Sequence, residues 1–299
     1  MELVKQNFSI KDLEHLSGIK AHTIRIWEKR YNILSPNRTS TNIRTYDSSN
    51  LQKILNIAFL NEHGYKISRI SKLSEEEIGK MVKRIAASSS VENRAINAFK
   101  MAMIDFDEGL FNRTYASLQE DKSFEEIFQQ VFVPLLGEIG TLWQTDTIKP
   151  IHEHYIVELI REKIYLNIAA LKQEVTPDTD RLFVLFLPEN EIHDIGLLYL
   201  NYQLLLNKKT SIFLGSNLPL DDIKYLLEKN DNITFMSYFT VAPQDLQEFT
   251  TEFQEKISSE KHRELYLFGN RLKQFEEQKK TFPPNIKFFS CIQDFIRTL

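Results

Sequence analysis

Glu191, His193 and Gly196 have the types and the spacing of a metal-binding loop. A carboxylate two positions before a histidine can accept one imidazole N–H, which fixes the tautomer and leaves the other ring nitrogen as a ligand. The glycine three positions later lets a bulky ligand approach the start of the next helix. A histidine at a loop tip is more commonly solvated or a helix cap, so the surrounding elements must decide between these interpretations.

Trp143 and the pair Glu153 and His154 form a second candidate site, with nine residues between the tryptophan and the pair. A large indole at a helix end beside a carboxylate and an imidazole can build a pocket wall. A tryptophan in a helical segment is also commonly a core residue, so both interpretations stay open on these residues alone.

A third group of residues suits DNA. Segment 21–30 is predicted to be a helix that buries Ile24 and Trp27, as a helix laid in the major groove does. The polar segment 36–46 carries two arginines and a tyrosine and is predicted to form a wing against the phosphate backbone. The polar and cationic side chains of the helix are His22, Thr23, Arg25, Lys29 and Arg30.

Charge divides the chain in the same way. Residues 1–72 carry 12 Lys and Arg against 6 Asp and Glu, a net charge of +6, and the remaining residues carry 25 against 35, a net charge of −10. A cationic module binds phosphate by counterion release, so contacts to base edges must supply the specificity. The first segment is therefore the predicted DNA-binding part.

The composition indicates the number of domains and the compartment of the protein. A chain of 299 residues with 42% hydrophobic and 26% charged residues is long enough for two or three globular domains. The single cysteine, Cys291, excludes an internal disulfide and fits a reducing compartment. No apolar stretch has the length of a membrane span, so we expect a cytoplasmic protein with no membrane partner.

The amino-terminal elements follow from capping signals. Ser9 and Asp12 can cap a first helix that ends at Gly18, and Asp47 can cap a third helix that ends at Gly64. With the second helix and the wing between them, these elements predict a winged helix-turn-helix over residues 1–75. The polar segment 71–90 is predicted to contain a linker.

Two further domains are predicted. Apolar residues at spacings of three and four predict a four-helix bundle over residues 90–175, with its third helix bent at Pro134. Its helices are predicted at 91–104, 107–119, 123–143 and 150–172. From residue 180 onward, apolar strand-length runs alternate with helical segments, which predicts a Rossmann-like doubly wound parallel sheet over residues 180–299. The fold class is thus multidomain, α and α/β, and ligands are expected at the carboxyl ends of the strands.

The amino-terminal motif resembles the DNA-binding domain of the MerR family. The matching residues are 24–31, Pro36, Arg38, Thr39, Arg44 and Tyr46. The resemblance implies operator contacts from the recognition helix by Thr23, Arg25, Arg30 and Tyr31, and from the wing by Arg38, Arg44 and Tyr46. It also implies binding as a dimer to inverted repeats, with partly indirect readout, so a dimer is the smallest assembly expected and a tetramer stays open.

The carboxy-terminal domain resembles the cobalamin-binding Rossmann-like domain. Its acid-x-His-x-x-Gly loop is matched by Glu191, His193 and Gly196, and its serine loop by Ser237. Gly269 matches the first residue of its glycine pair. The resemblance implies that His193 is the lower axial cobalt ligand and that Glu191 orients it. It also implies that Ser237 and Gly269 line a slot for the nucleotide tail.

The sequence departs from this signature at Asn270, where a second glycine is expected, and at the bulky pair Tyr238 and Phe239 after the serine. In the helical domain, Trp143, Glu153 and His154 resemble the Trp-x9-Glu-His motif of the cap in MerR-type light-responsive repressors. That resemblance implies that they enclose the upper axial group of adenosylcobalamin or methylcobalamin.

These features leave three candidate functions. The first is a transcriptional repressor whose oligomeric state and operator affinity are controlled by cobalamin bound between bundle and sheet, with double-stranded promoter DNA and further copies of the chain as partners. The second is a MerR-type regulator whose carboxy-terminal domains no longer bind cobalamin and serve oligomerisation or sensing of a protein partner. The third, a cobalamin enzyme, is disfavoured by the DNA-binding module.

Overall fold

The protein was analysed as a computed structural model that describes residues 8–39, 42–86, 91–144, 148–174, 178–228, 232–258, 263–272, 275 and 282–299. The chain divides into two compact units, Met1–Ile160 and Arg161–Leu299, which are described separately below. Within the described residues, no helix has both the length and the apolar character that a membrane span requires.

The amino-terminal helices form as their capping residues predict. Helix α1, Ile10–Ser17, begins with a capping box in which the Ser9 N–H donates to Asp12 Oδ2 at 2.7 Å and the Asp12 N–H donates to Ser9 Oγ at 3.2 Å. It ends at Gly18, which has a φ of +74°. Helix α2, Ala21–Tyr31, buries Ile24 and Trp27 as expected.

A small antiparallel hairpin follows α2, with strand β1 over Asn37–Arg38 and strand β2 over Arg44–Thr45. Helix α3, Ser48–Glu62, is capped by Asp47, whose side chain accepts the Asn50 N–H at 2.8 Å. The short helix α4, Ile67–Ile70, and helix α5, Glu75–Ala86, complete this part. Helix α5 occupies much of the segment predicted to contain a linker, and residues 87–90 lie outside the described residues.

The four predicted helical segments of the next part are present, with one local change. Helices α6, Val91–Asp105, α7, Glu108–Gln119, and α10, Pro150–Glu174, match their predicted bounds. The third segment consists of α8, Phe124–Ile127, a π-helical turn over Phe128–Phe132, and α9, Val133–Gln144. Pro134 explains the turn, because proline has no N–H to donate and its ring crowds the preceding carbonyls, which a wider turn relieves.

The second unit contains a five-stranded sheet in which every paired strand is parallel, in the order β4-β3-β5-β6-β7. The strands are β3, Asp178–Pro188, β4, Lys209–Leu218, β5, Ile233–Tyr238, β6, Glu264–Phe268, and β7, Ile286–Phe288. The helices are α11, Ile195–Leu206, α12, Leu220–Ile223, α13, Leu246–Lys256, and α14, Ile292–Ile296. A 3-10 turn, Lys224–Glu228, continues α12. The prediction of a doubly wound parallel sheet is confirmed.

Strand β3 is buried on both faces. Val184 and Phe186 belong to one apolar cluster, and Phe183, Leu185 and Leu187 belong to another. Successive side chains of a strand point to opposite faces, so a strand at the centre of two helical layers reads as a continuous apolar run. This is why residues 182–187 could be assigned to a strand from sequence.

The strand order places a switch point between β3 and β5. The chain passes from β3 to β4 on one side, then crosses back to β5 on the other side of β3. At such a point the two connections diverge and leave a crevice at the carboxyl ends of the strands. The loops after β3 and after β5 border this crevice, and the loop after β3 carries the predicted Glu191 and His193.

Candidate functional site

Glu191 is the centre of the hydrogen-bond network at the switch point, and it is fully buried. Its Oε1 accepts the backbone N–H of His193 at 2.9 Å and lies 2.7 Å from His193 Nδ1. Its Oε2 accepts the backbone N–H groups of Thr240, Val241 and Ala242 at 3.0, 2.8 and 2.9 Å. One carboxylate therefore joins the loop after β3 to the loop after β5.

These contacts set the charge of Glu191. Burial by itself raises the pKa of the carboxyl, but the N–H donors of Val241, His193 and Ala242 outweigh burial and leave the pKa below its ordinary value. The carboxylate is therefore ionised at neutral pH and can accept an Nδ1–H of the His193 ring. Among the described residues no hydrogen bond reaches Nε2, and the His193 side chain is 43% exposed. An exposed, oriented imidazole of this kind has the chemistry of an axial metal ligand.

Gly196, the second residue of α11, lies against Tyr238 at the end of β5. A β-carbon at position 196 would stand 2.6 Å from Cε1 of the Tyr238 ring. Ser237, the preceding residue, is fully buried, and its hydroxyl donates to the carbonyl of Phe186 at 2.8 Å. The serine of the predicted slot is thus engaged with β3, and the space beside Gly196 is occupied by an aromatic ring.

Gly269 follows β6 with a φ of +109°. A β-carbon there would stand 2.1 Å from the carbonyl oxygen of Phe239. The Phe239 N–H donates to the Phe268 carbonyl at 2.8 Å, which holds the two backbones together. Gly269 is therefore required for the close approach of two chain segments at this edge of the sheet.

Sequence reasoning missed the partner of the His193 loop on α10. Arg161 donates to Asp194 Oδ1 at 2.6 Å, and both side chains are largely buried, with exposures of 21% and 14%. Asp194 directly precedes α11. No local pattern marks this pair, because the two residues are 33 positions apart.

In the first unit, Glu153 and His154 lie in the first turn of α10, with Glu153 half-buried and His154 exposed. Trp143 lies in α9, and its side chain is outside the described residues. The neighbouring His152 is buried and stacks on Phe106 with ring centroids 5.0 Å apart. The predicted pair thus includes an exposed imidazole, whereas the adjacent histidine packs in the core.

The recognition helix exposes the charged groups predicted for DNA. Arg25 and Arg30 are exposed, and Thr23 and Tyr31 are half-buried. The Arg30 guanidinium lies over the Tyr31 ring, 5.4 Å from its centroid. Ile26 is exposed on the same helix. The helix therefore offers cationic, polar and apolar groups together, as base edges and thymine methyl groups require.

The wing is tied to this helix by Glu28. Its carboxylate accepts from Arg44 Nε and from the Tyr46 hydroxyl, each at 3.0 Å. Tyr46 is fully buried, so the expectation that it contacts DNA is corrected: its hydroxyl is used inside the domain. Arg38 is exposed at the other side of the hairpin and donates to the Asn42 side chain at 2.6 Å. Arg38 is therefore the arginine of the wing best placed for phosphate.

Two segments of the chain match models of known families. Residues 8–77 match the model of the MerR HTH family regulatory protein, and residues 95–166 match the model of the B12 binding domain. The chain thus carries one segment similar to the MerR HTH family and one segment similar to the B12 binding domain. It is 23% identical over 258 residues to the HTH-type transcriptional repressor CarH of Myxococcus xanthus, covering 83% of each chain.

The fold of the larger part of the chain is also similar to a solved structure. The monomethylamine corrinoid protein of Methanosarcina barkeri aligns with a TM-score of 0.51 and 12% sequence identity. The alignment covers 69% of this chain and 97% of that chain. At this identity the likeness concerns the fold alone.

Proposed function

We propose that the chain is a transcriptional repressor whose winged helix-turn-helix binds promoter DNA and whose affinity for that DNA is controlled by cobalamin. The observation that carries this proposal is the Glu191 and His193 pair at the switch point of the sheet. A buried carboxylate orients the imidazole, and the His193 side chain is 43% exposed. This arrangement occurs in a chain whose other end has the MerR-type fold.

The residues fit the cofactor through their donor set. His193 would coordinate cobalt through Nε2, and Glu191 would hold the ring in orientation and keep Nδ1 protonated. Trp143, Glu153 and His154 stay proposed contacts to the same cofactor. Bound cobalamin would supply a cobalt centre in a large flat ring, with an adenosyl or a methyl group as the proposed upper ligand.

Regulation by cobalamin requires two assemblies of the chain that differ in their affinity for the cofactor. Cobalamin changes the affinity for DNA only if it binds one assembly of the chain better than another. Inverted-repeat operators are matched by symmetric protein dimers, so a dimer is the smallest assembly proposed. We propose that cobalamin shifts the equilibrium between assemblies, and that the chain acts as a regulator and not as an enzyme.

The binding step is tested with the full chain mixed in the dark with adenosylcobalamin or methylcobalamin, desalted, and measured by its visible spectrum. The wild type is expected to retain the cofactor, and His193→Ala to bind it at least about tenfold more weakly because the cobalt ligand is lost. His63→Ala, at an exposed histidine after α3, is the matched control and should retain it. A colourless wild type that still shifts promoter DNA would favour the regulator without cobalamin.

The DNA-binding step is tested with Arg38→Ala. Because an exposed wing arginine contacts phosphate and not bases, its loss should weaken binding to any duplex and reduce the slope of log affinity against log salt by about 1. Arg297→Ala is the control, since that side chain is 79% exposed at the end of the second unit. Titrations of a random-sequence duplex at several salt concentrations give the slope. An unchanged slope in Arg38→Ala would contradict the assignment.

A further inference from the structure

The crevice at the switch point is filled by the side chain of Tyr238. Its ring atoms Cε1, Cδ1 and Cζ lie 2.6 to 2.7 Å from the position that a β-carbon of residue 196 would take. The ring therefore covers the glycine at the first turn of α11 and packs against the apolar cluster that includes Phe183 and Leu185. A position without a side chain, which could admit a ligand, is closed by the protein itself.

The other groups around this crevice are fixed by hydrogen bonds. Glu191 holds the backbone of residues 240–242, the Ser237 hydroxyl donates to the Phe186 carbonyl, and the Phe239 N–H donates to the Phe268 carbonyl. Movement of any of these groups breaks at least one hydrogen bond, which costs free energy.

Tyr238 differs from these neighbours. Within the part of the chain that the structure describes, its hydroxyl makes no hydrogen bond, and its side chain is only partly buried. The ring is held by packing alone, so rotation about its side-chain bonds can open the crevice without breaking a hydrogen bond. Burial raises the pKa of the hydroxyl, so the hydroxyl is neutral in the position that the ring occupies in the crevice.

We infer that Tyr238 is a gate that distinguishes corrinoids with a nucleotide tail from corrinoids without one. This inference rests on the proposed function. A corrin ring on His193 presents its lower face to the protein, and the nucleotide tail of cobalamin leaves from that face. Gly196 lies three residues after His193 and is covered by the Tyr238 ring, so a tail that entered the crevice here would require the ring to leave. Cobinamide, which lacks the nucleotide, binds with the ring in place.

The test compares the dissociation constants of cobalamin and cobinamide, measured by equilibrium dialysis with absorbance detection on the full chain. The wild type should bind cobinamide at least as tightly as cobalamin. Tyr238→Ala should bind cobalamin about tenfold more tightly or better, since no packed aromatic ring must be displaced, and change cobinamide binding by less than about threefold. Tyr225→Ala, at a tyrosine that is 59% exposed, should change neither.

Two further variants separate the gate from a loss of folding. Tyr238→Leu retains apolar packing in a smaller volume and should shift cobalamin binding in the same direction as Tyr238→Ala. The double variant Tyr238→Ala with Gly196→Ala places a methyl group in the space that the ring leaves. It should therefore bind cobalamin more weakly than Tyr238→Ala does. Thermal unfolding of each variant checks that the second unit is folded.

The outcomes distinguish the two proposals. If the wild type binds cobalamin about tenfold more tightly than cobinamide, and Tyr238→Ala leaves that ratio unchanged, the gate is overturned while the proposed function is upheld. If neither the wild type nor the variants bind either corrinoid, the proposed function is overturned and the gate with it. If Tyr238→Ala binds cobalamin more tightly than the wild type does, and binds cobinamide equally well, the proposed function and the gate are both supported.

Discussion

Replacing Glu191 with alanine is expected to lower the free energy of unfolding of the second unit by about 3 kcal/mol. The carboxylate is fully buried and accepts the backbone N–H groups of His193, Thr240, Val241 and Ala242. Each buried donor left without an acceptor costs about 1 to 3 kcal/mol, and some of the four would regain water at the loop surface. Urea denaturation followed by circular dichroism measures the change.

Glu189→Ala is the matched control for this prediction. Glu189 belongs to the same loop, but its side chain is exposed, so its loss should change the free energy of unfolding by less than about 0.5 kcal/mol. Equal effects of the two substitutions would contradict the role assigned to Glu191. Glu191→Ala should also weaken cobalamin binding by about ten- to a hundredfold, because the imidazole of His193 loses its orientation.

The same contacts give a pH dependence with a definite sign. The folded-state pKa of Glu191 lies below its ordinary value of 4.5, so the unfolded chain takes up a proton first as the pH falls. The stabilisation from Glu191 is fully present above that ordinary value and is lost as the pH falls through the folded-state pKa. The difference in unfolding free energy between wild type and Glu191→Ala should therefore shrink only at pH values below 4.5.

Local signals in the sequence were sufficient for most of the fold. The capping residues Ser9 and Asp47 placed α1 and α3 because a cap acts on backbone groups within three residues. The apolar run 182–187 placed β3 because burial on both faces removes polar alternation. Alternation of strands and helices then restricted the topology to a doubly wound parallel sheet, since crossover connections have one preferred hand.

The site was only partly predictable, because its decisive contacts join distant residues. The position of Glu191 beside His193 is visible in the sequence, but its second oxygen binds residues about 50 positions away. Likewise, a tyrosine in a polar wing suggests a phosphate contact, and the bond from Tyr46 to Glu28 spans 18 positions. Side-chain burial of this kind depends on tertiary packing, which neither periodicity nor local spacing encodes.

The conformation around Gly269 leads to the second large prediction, that Gly269→Ala destabilises the second unit by about 4 kcal/mol or prevents its folding. Two costs add. A φ of +109° is unfavourable for any residue with a β-carbon, and that carbon would stand 2.1 Å from the Phe239 carbonyl oxygen. The obstacle is backbone and not the end of a flexible side chain, so relief requires β6 and the segment after β5 to separate.

That separation would break the hydrogen bond from the Phe239 N–H to the Phe268 carbonyl, which is 2.8 Å long. Gly215→Ala isolates the conformational cost, because Gly215 has a φ of +90° and no atom nearer than the Phe213 ring at 4.0 Å. It should lose about 1 kcal/mol. The melting temperatures of the two variants separate the conformational cost from the steric cost. Similar decreases would mean that the close approach at Gly269 contributes little to the destabilisation. A much larger shift for Gly269→Ala would show that this glycine is required by the packing of the sheet edge, whether or not a nucleotide tail ever reaches it.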